Sequence, residues 1–124
     1  MEGINRKSIK RANKAIRCLP FNSEFYKSAQ VSGLSAENVF QKKGKYLSNK
    51  SSWFKDSEEI ENDFRWLIVI GVLRREVDGQ GLTSRVRLTP LGRYIIEKTP
   101  EILEEKVLIV EKIGNFIYRK IIFN

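Results

Sequence analysis

Residues 64–95 contain the feature that most limits how this chain can fold, two short strands joined by a glycine-rich turn. Apolar and polar side chains alternate over residues 73–78 and again over residues 82–88. The four residues 78–81, with the sequence DGQG, supply the turn chemistry of a tight hairpin. The pattern therefore predicts an antiparallel β-hairpin, and several of its polar positions are arginines.

Helix signals flank the predicted hairpin on both sides. An apolar run before it ends at Gly71, and glycine suits a helix C-cap because it adopts positive φ without a Cβ clash. After the hairpin, Thr89 is a typical N-cap and Pro90 is a typical first helical residue. We therefore expect a helix over residues 56–70, then the hairpin, then a further helix that starts at Pro90.

This arrangement resembles the second half of a winged-helix domain of the MarR and PadR groups of bacterial regulators. In those groups a helix ends in glycine, two hydrophobic residues and arginine, a basic wing follows, and the return strand continues into Leu-Thr-x-x-Gly. This chain has GVLR at residues 71–74 and LTPLG at residues 88–92. The resemblance implies a winged helix-turn-helix that binds DNA and regulates transcription. The alternative is a helix–hairpin–helix in an unrelated small α+β domain.

The cysteine and histidine content excludes several kinds of catalytic and metal site. Cys18 is the only cysteine and there is no histidine, which excludes an internal disulfide, a zinc site and a Cys–His or Ser–His nucleophile. The acidic residues of 56–63 could be imagined around Mg²⁺, but a charged run along one helix is more often a solvated face. We expect a non-enzymatic protein without a cofactor or a metal.

Length and hydropathy favour a single domain that does not enter a membrane. The 124 residues suffice for one modest core. No apolar run approaches the ~20 residues that a bilayer span requires, and the basic N-terminus lacks the apolar segment of a signal peptide. A lone cysteine suits a reducing compartment, so we expect a cytoplasmic protein.

The net charge of +8 is unevenly distributed along the chain. The first 55 residues contain 12 Lys/Arg and three Asp/Glu. Residues 56–71 contain one Lys/Arg and five Asp/Glu. A basic first half together with a basic hairpin predicts a surface for a polyanion. Double-stranded DNA is the partner that the resemblance implies.

The first half of the chain also has the pattern of a helix-turn-helix. Apolar spacing predicts helices over residues 5–19, 21–33 and 35–48, and a tight turn at Gly33 separates the last two. The candidate groove contacts are amides and lysines of the third helix: Asn38, Gln41, Lys42 and Lys45. The candidate phosphate contacts are wing arginines that alternate with apolar positions: Arg74, Arg85 and Arg87.

The predicted helix over residues 56–70 conflicts with one part of the resemblance. In the MarR and PadR groups the helix before the wing enters the major groove, but here its first half is acidic. Carboxylates repel phosphates, although a single one can accept a hydrogen bond from cytosine. Three explanations stay open. Residues 35–48 contact the bases, or only the wing and the first helix touch DNA, or the domain binds another protein instead of DNA.

Residues 100–123 predict a helix with apolar side chains on two faces. Five apolar residues, spaced 4, 3, 7 and 4 positions apart, fall along one line of the helix, and a glycine lies on the same line inside the gap of seven. The line consists of Leu103, Val107, Val110, Gly114, Ile117 and Ile121. If only one face docks on the domain, the other stays in water, so we expect homodimerisation through this helix. The alternative is that the monomer buries the whole helix.

These patterns together predict a mainly α fold with a small β-hairpin, a winged helix-turn-helix with extra N- and C-terminal helices. We expect a winged-helix domain over residues 1–98 and a dimerisation helix over residues 99–124. The leading hypothesis is a homodimeric, DNA-binding transcriptional regulator. The second hypothesis is a winged-helix module that binds another protein without specific DNA binding.

Overall fold

The computed structural model describes residues 5–48, 55–98 and 117–121. In chain order these residues form α1 (Arg6–Cys18), α2 (Ser23–Val31), α3 (Ala36–Gln41), α4 (Lys43–Tyr46), α5 (Ser57–Ile70), β1 (Leu73–Asp78), β2 (Gly81–Leu88) and α6 (Pro90–Lys98). Residues 117–121 are also helical, and we term them the C-terminal segment. The described chain is mainly helical with one antiparallel hairpin, which confirms the predicted class.

Asparagine side chains cap the first turns of α1 and α2. Asn5 Oδ1 accepts a hydrogen bond from the Ser8 N–H at 2.8 Å, and Asn22 Oδ1 accepts one from the Phe25 N–H at 3.1 Å. These caps satisfy backbone donors that have no partner inside the helix. Both helices lie within the ranges that their apolar spacing predicts.

The helix predicted over residues 35–48 is interrupted, and the expectation of one continuous helix is wrong. The segment forms α3 and α4, which meet at Lys42, whose φ of −127° and ψ of 47° are not helical. The Lys42 N–H donates to the Val39 carbonyl at 3.1 Å, so the last turn of α3 tightens and ends there. Gly44 gives α4 a low helix propensity, so the local sequence does not favour a continuous helix.

Both ends of α5 have the caps that the sequence predicts. Asp56 Oδ1 accepts from the Glu59 N–H at 2.8 Å, and the Glu59 carboxylate accepts from the Asp56 N–H at 3.3 Å, which completes a capping box. At the other end Gly71 has a φ of 96°, and its N–H donates to the Leu67 carbonyl at 3.0 Å. α5 therefore ends where the chain must turn into β1.

The hairpin pairs β1 with β2 antiparallel, and the turn lies within the predicted residues 78–81. The register runs from Leu73 opposite Leu88 to Asp78 opposite Gly81, with an irregularity between residues 75 and 77. The Asp78 carboxylate accepts from the Gln80 N–H at 2.7 Å and so stabilises the turn.

A third segment joins the hairpin through Leu34, which lies between α2 and α3. Leu34 and Val86 form an antiparallel bridge, with N–H to carbonyl distances of 3.2 and 2.8 Å in the two directions. This bridge fixes the α2–α3 turn beside β2.

Helices from both halves of the chain surround one hydrophobic core. The rings of Phe21 and Phe25 stack at 4.3 Å, and Phe64 of α5 lies 5.6 Å from each of them. Leu73 and Val86 extend the same core into the base of the hairpin. Helix α5 and the base of the hairpin therefore share one core with α2.

The LTPLG motif fixes α6 against the turn that follows α5. The Thr89 hydroxyl accepts from the Gly92 N–H at 3.0 Å and donates to the carbonyls of Gly71 and Val72. A Cβ on Gly92 would lie only 2.5 Å from the Val72 carbonyl oxygen, so the close packing requires glycine. In the described parts of the chain, no helix has the length and apolar character needed to cross a membrane.

Candidate nucleic-acid interface

Glu76 binds two of the three candidate wing arginines. Its carboxylate accepts from Arg85 Nε at 2.5 Å and from Arg87 Nη1 at 3.3 Å. The hydrogen bond from Arg85 is the main reason that the pKa of Glu76 is lowered, and the same bond raises the pKa of Arg85. The Arg85 side chain is still 46% exposed, although its Nε is bound to Glu76.

Arg87 connects the hairpin to the end of α2. Its Nε donates to the Ala29 carbonyl at 3.3 Å, and its Nη2 donates to the Gln30 carbonyl at 3.1 Å. These are carbonyls near the negative end of a helix, where a cation is favourable. Arg87 is half buried. A phosphate contact by Arg87 would require it to give up these bonds, so its first role is structural.

Arg74 and Arg75 point to different surroundings, as strand alternation predicts. Arg75 is half buried, forms an ion pair with Glu61 of α5, and donates to the Ser84 carbonyl at 3.0 Å. Arg74 lies opposite Arg87 across the hairpin and is exposed, and it has no acidic partner within residues 5–48, 55–98 and 117–121. Arg74 is therefore the wing arginine most available to a ligand.

The two candidate amides after the turn are already hydrogen-bonded. Asn38 Oδ1 accepts from the Ser35 N–H at 3.0 Å, as part of the capping box that begins α3. Gln41 Nε2 donates to Glu37 Oε1 at 3.2 Å, one turn back along the helix. A bidentate contact with adenine needs both the oxygen and the nitrogen of an amide. Asn38 could make that contact only by opening its own cap.

The candidate lysines lie around the break between α3 and α4. Lys42 and Lys45 are both exposed. Lys45 Nζ lies 5.3 Å from the ring centroid of Tyr46, and Lys43 Nζ lies 4.4 Å from that of Phe40. This part of the surface is basic, but its backbone is not a straight helix that could lie along a groove.

The acidic half of α5 is partly neutralised inside the protein. Asp63 is only 1% exposed and accepts from Lys55 Nζ at 2.8 Å and from Arg119 Nη1 at 2.9 Å. Glu61 is paired with Arg75, and Asp56 and Glu59 form the capping box of α5. Four of the five acidic residues between 56 and 63 thus have internal hydrogen bonds.

The outer face of α5 is a narrow stripe of four residues, which we term the α5 stripe: Glu58, Asn62, Arg65 and Val69. At 100° per residue they fall within an arc of about 60°. Arg65 Nη1 donates to Asn62 Oδ1 at 3.2 Å, and both side chains reach the surface. Asn62 and Arg65 were missed in the sequence analysis, although their spacing of i, i+4, i+7 and i+11 is visible there.

The C-terminal segment docks on α1 and α5 through one of its faces. Tyr118 packs edge-on against Trp66 with ring centroids 5.6 Å apart, and Arg11 donates to the Tyr118 hydroxyl at 3.5 Å. Its other face leaves Ile117 52% and Ile121 70% exposed. The remaining candidate dimer residues lie outside the described residues: Leu103, Val107, Val110 and Gly114.

The tip of the hairpin carries an apolar pair. Val77 and Leu82 lie directly opposite each other and are 62% and 75% exposed. Within the described ranges no group of three Asp, Glu or Cys side chains is arranged to hold a metal ion.

Comparison with known proteins places the chain in a family. A family model described as Npun_F0494-like matches residues 3–119, which is almost the whole chain. No curated protein and no solved structure matches it. The chain belongs to the Npun_F0494-like family.

Proposed function

We propose that this member of the Npun_F0494-like family is a non-enzymatic, DNA-binding regulator of transcription that acts as a cytoplasmic homodimer with a winged-helix fold. In this proposal α5 is the recognition helix in the major groove. The hairpin is the wing, and it contacts the phosphate backbone. The outer face of α5 is the observation that carries the proposal.

That observation weakens the main objection to α5 as a recognition helix, although Glu58 lies on the same stripe. Glu61 and Asp63 are paired with cations inside the protein, so the exposed carboxylates are confined to Asp56, Glu58 and Glu59 in the first turn. The α5 stripe also carries Asn62 and Arg65, whose side chains suit adenine and guanine edges respectively. To make these contacts they would release the hydrogen bond that joins them to each other, which unlike the Asn38 bond is not part of a helix cap. Val69 on the same stripe suits contact with a thymine methyl group.

The order of elements around the hairpin also supports a winged-helix fold. Helix α2, the bridging residue Leu34, helices α3 to α5 and the hairpin follow one another, and Leu34 pairs with the return strand β2. A single short strand between two helices, paired with the wing, is the order expected of a winged helix. In this assignment α1, α6 and the C-terminal segment are additions to the domain.

Ile117 and Ile121 support the dimer. They are one turn apart on the exposed side of a helix whose opposite side contacts α1 and α5. Leaving large apolar side chains in water costs about 1.5–3 kcal/mol each, and a second copy would cover them. A twofold dimer would also hold two α5 helices at a fixed separation, as DNA half-sites require.

Sedimentation equilibrium tests the dimer. We expect a mass above the 14.4 kDa of the monomer at micromolar concentration, and we expect Ile117→Glu to shift it towards the monomer. Val31→Glu is the matched control, because Val31 is an exposed valine on α2. A wild-type mass of one monomer that does not change with concentration would remove the dimer from the proposal.

Fluorescence anisotropy with a pool of labelled genomic duplexes tests DNA binding. We expect binding at 50 mM salt that weakens linearly on a log–log plot as salt increases, because bound cations release counterions from the phosphates. We also expect some fragments to be bound at least tenfold more tightly than others. Absence of binding at 50 mM salt would refute the proposal.

The second candidate function is a protein-interaction module, and the exposed pair Val77 and Leu82 favours it. An apolar hairpin tip suits a hydrophobic pocket on a partner better than a phosphate backbone. This candidate predicts weak binding to all fragments without preference among them. The fragment comparison therefore separates the two functions.

A further inference from the structure

Helix α1 carries a continuous basic face, whose first four cations are exposed and whose last two are half-buried. Residues 6–18 contain six Lys/Arg and no Asp/Glu. At 100° per residue all six cations fall within an arc of about 140°, opposite the buried stripe. The basic face consists of Arg6, Lys7, Lys10, Arg11, Lys14 and Arg17. The buried stripe consists of Ala12, Ala15 and Ile16.

Most of this charge is not neutralised by the protein. Within residues 5–48, 55–98 and 117–121, no carboxylate forms an ion pair with Arg6, Lys7, Lys10, Arg11 or Lys14. In the wing, by contrast, three of the four arginines between residues 74 and 87 have carboxylate partners. The densest free positive charge of the described chain is therefore on α1.

We infer that the basic face of α1 binds the phosphate backbone of duplex DNA, as a second contact beside α5 and the wing. This inference rests on the proposed function. From Arg6 to Lys14 the helix rises about 12 Å, and a duplex carries one negative charge per about 1.7 Å of its axis. An equal length of DNA thus carries about seven phosphate charges for these five cations. The helix dipole places its positive end at Asn5, which adds to the attraction of the basic face for phosphates.

The buried stripe of α1 argues against an anionic membrane as the partner. A helix that binds a bilayer surface inserts its apolar face among the acyl chains. Ala12, Ala15 and Ile16 are instead part of the protein core. Helix α1 therefore has charged side chains to present to a membrane, but no free apolar face to insert into it. The regularly spaced phosphates of duplex DNA suit a helix face of this kind, because binding them requires only positive charge.

The test compares two double variants that remove the same charge from different places. Lys7→Gln with Lys10→Gln neutralises part of α1, and Arg93→Gln with Lys98→Gln neutralises two exposed cations of α6. Affinity for a 30-base-pair duplex is measured between 50 and 200 mM salt. In a plot of log affinity against log salt concentration, each phosphate contact contributes about 0.9 to the slope. The α1 variant removes two such contacts, so its slope is expected to be smaller in magnitude by about 1.8. The ratio of affinities at the two salt concentrations would shrink about 12-fold, and the α6 control would keep the wild-type slope.

The outcomes distinguish this inference from the proposed function. A wild-type slope in the α1 variant, with a reduced slope in Arg74→Ala, overturns the α1 contact and leaves the proposed function standing. A wild-type protein that binds no duplex at 50 mM salt overturns both. Binding to phosphatidylserine vesicles that is lost in the α1 variant, while DNA affinity is unchanged, overturns the inference in favour of a membrane. Thermal unfolding of each variant confirms that it is folded.

Discussion

Replacing Asp63 with asparagine should destabilise the protein strongly, because this buried carboxylate joins three parts of the chain. It lies on α5 and binds Lys55 before the helix and Arg119 in the C-terminal segment, at 2.8 and 2.9 Å. Hydrogen bonds to charged groups contribute about 1.5–3 kcal/mol each, and breaking a buried ion pair costs about 3–5 kcal/mol. Both cations are partly exposed and can regain water. We therefore expect Asp63→Asn to lower the free energy of unfolding by about 3 kcal/mol.

Urea unfolding followed by circular dichroism measures this loss. All variants must be compared at one protein concentration, because a dimer makes the apparent stability depend on concentration. Glu58→Gln is the matched control, since it removes the same charge from the exposed face of the same helix, and surface changes usually stay within about 0.5 kcal/mol. If Asp63→Asn is no less stable than Glu58→Gln, the argument from the buried carboxylate is wrong.

Three further predictions concern the wing and the packing of α6. Gly92→Ala should destabilise the protein by about 1–3 kcal/mol through its contact with backbone, whereas Gly44→Ala, with open space around it, should not; thermal melts of both variants check this. Arg87→Ala should lower the melting temperature because it unties the hairpin from α2, but Arg74→Ala should leave it unchanged. The pKa of Glu76 is lowered, so its ion pairs stabilise the protein fully at pH values above 4.5, the ordinary pKa of a glutamate. This stabilisation is lost as the pH falls through the lowered pKa. The stability difference between wild type and Glu76→Gln should therefore shrink below pH 4.5, and a constant difference would contradict this.

The boundaries of α5 and the hairpin could be predicted because their signals are local. Asp56 and Glu59 are three residues apart, Gly71 directly follows its helix, and Thr89 directly precedes α6. Each of these caps depends on residues within about one helical turn. Local chemistry therefore predicts where these elements begin and end.

The partners that Glu61 and Asp63 find in β1 and the C-terminal segment could not be predicted, because they are distant in sequence. Glu61 pairs with Arg75 fourteen residues later, and Asp63 pairs with Arg119 fifty-six residues later. From the sequence alone the acidic run appears to be a free negative surface. Only the packing of β1 and the C-terminal segment against α5 shows that Glu61 and Asp63 are paired internally.

The central claim is that the α5 stripe determines which DNA sequence is bound. The direct measurement is the ratio of affinities for a duplex selected by the wild type from a random pool and for the same duplex scrambled. Each bidentate base contact contributes about 1–3 kcal/mol of discrimination, so Asn62→Ala with Arg65→Ala should reduce this ratio at least tenfold. Asn38→Ala with Gln41→Ala should leave the ratio unchanged. If the first variant keeps the wild-type ratio and the second loses it, residues 35–48 contact the bases and the assignment of α5 is wrong.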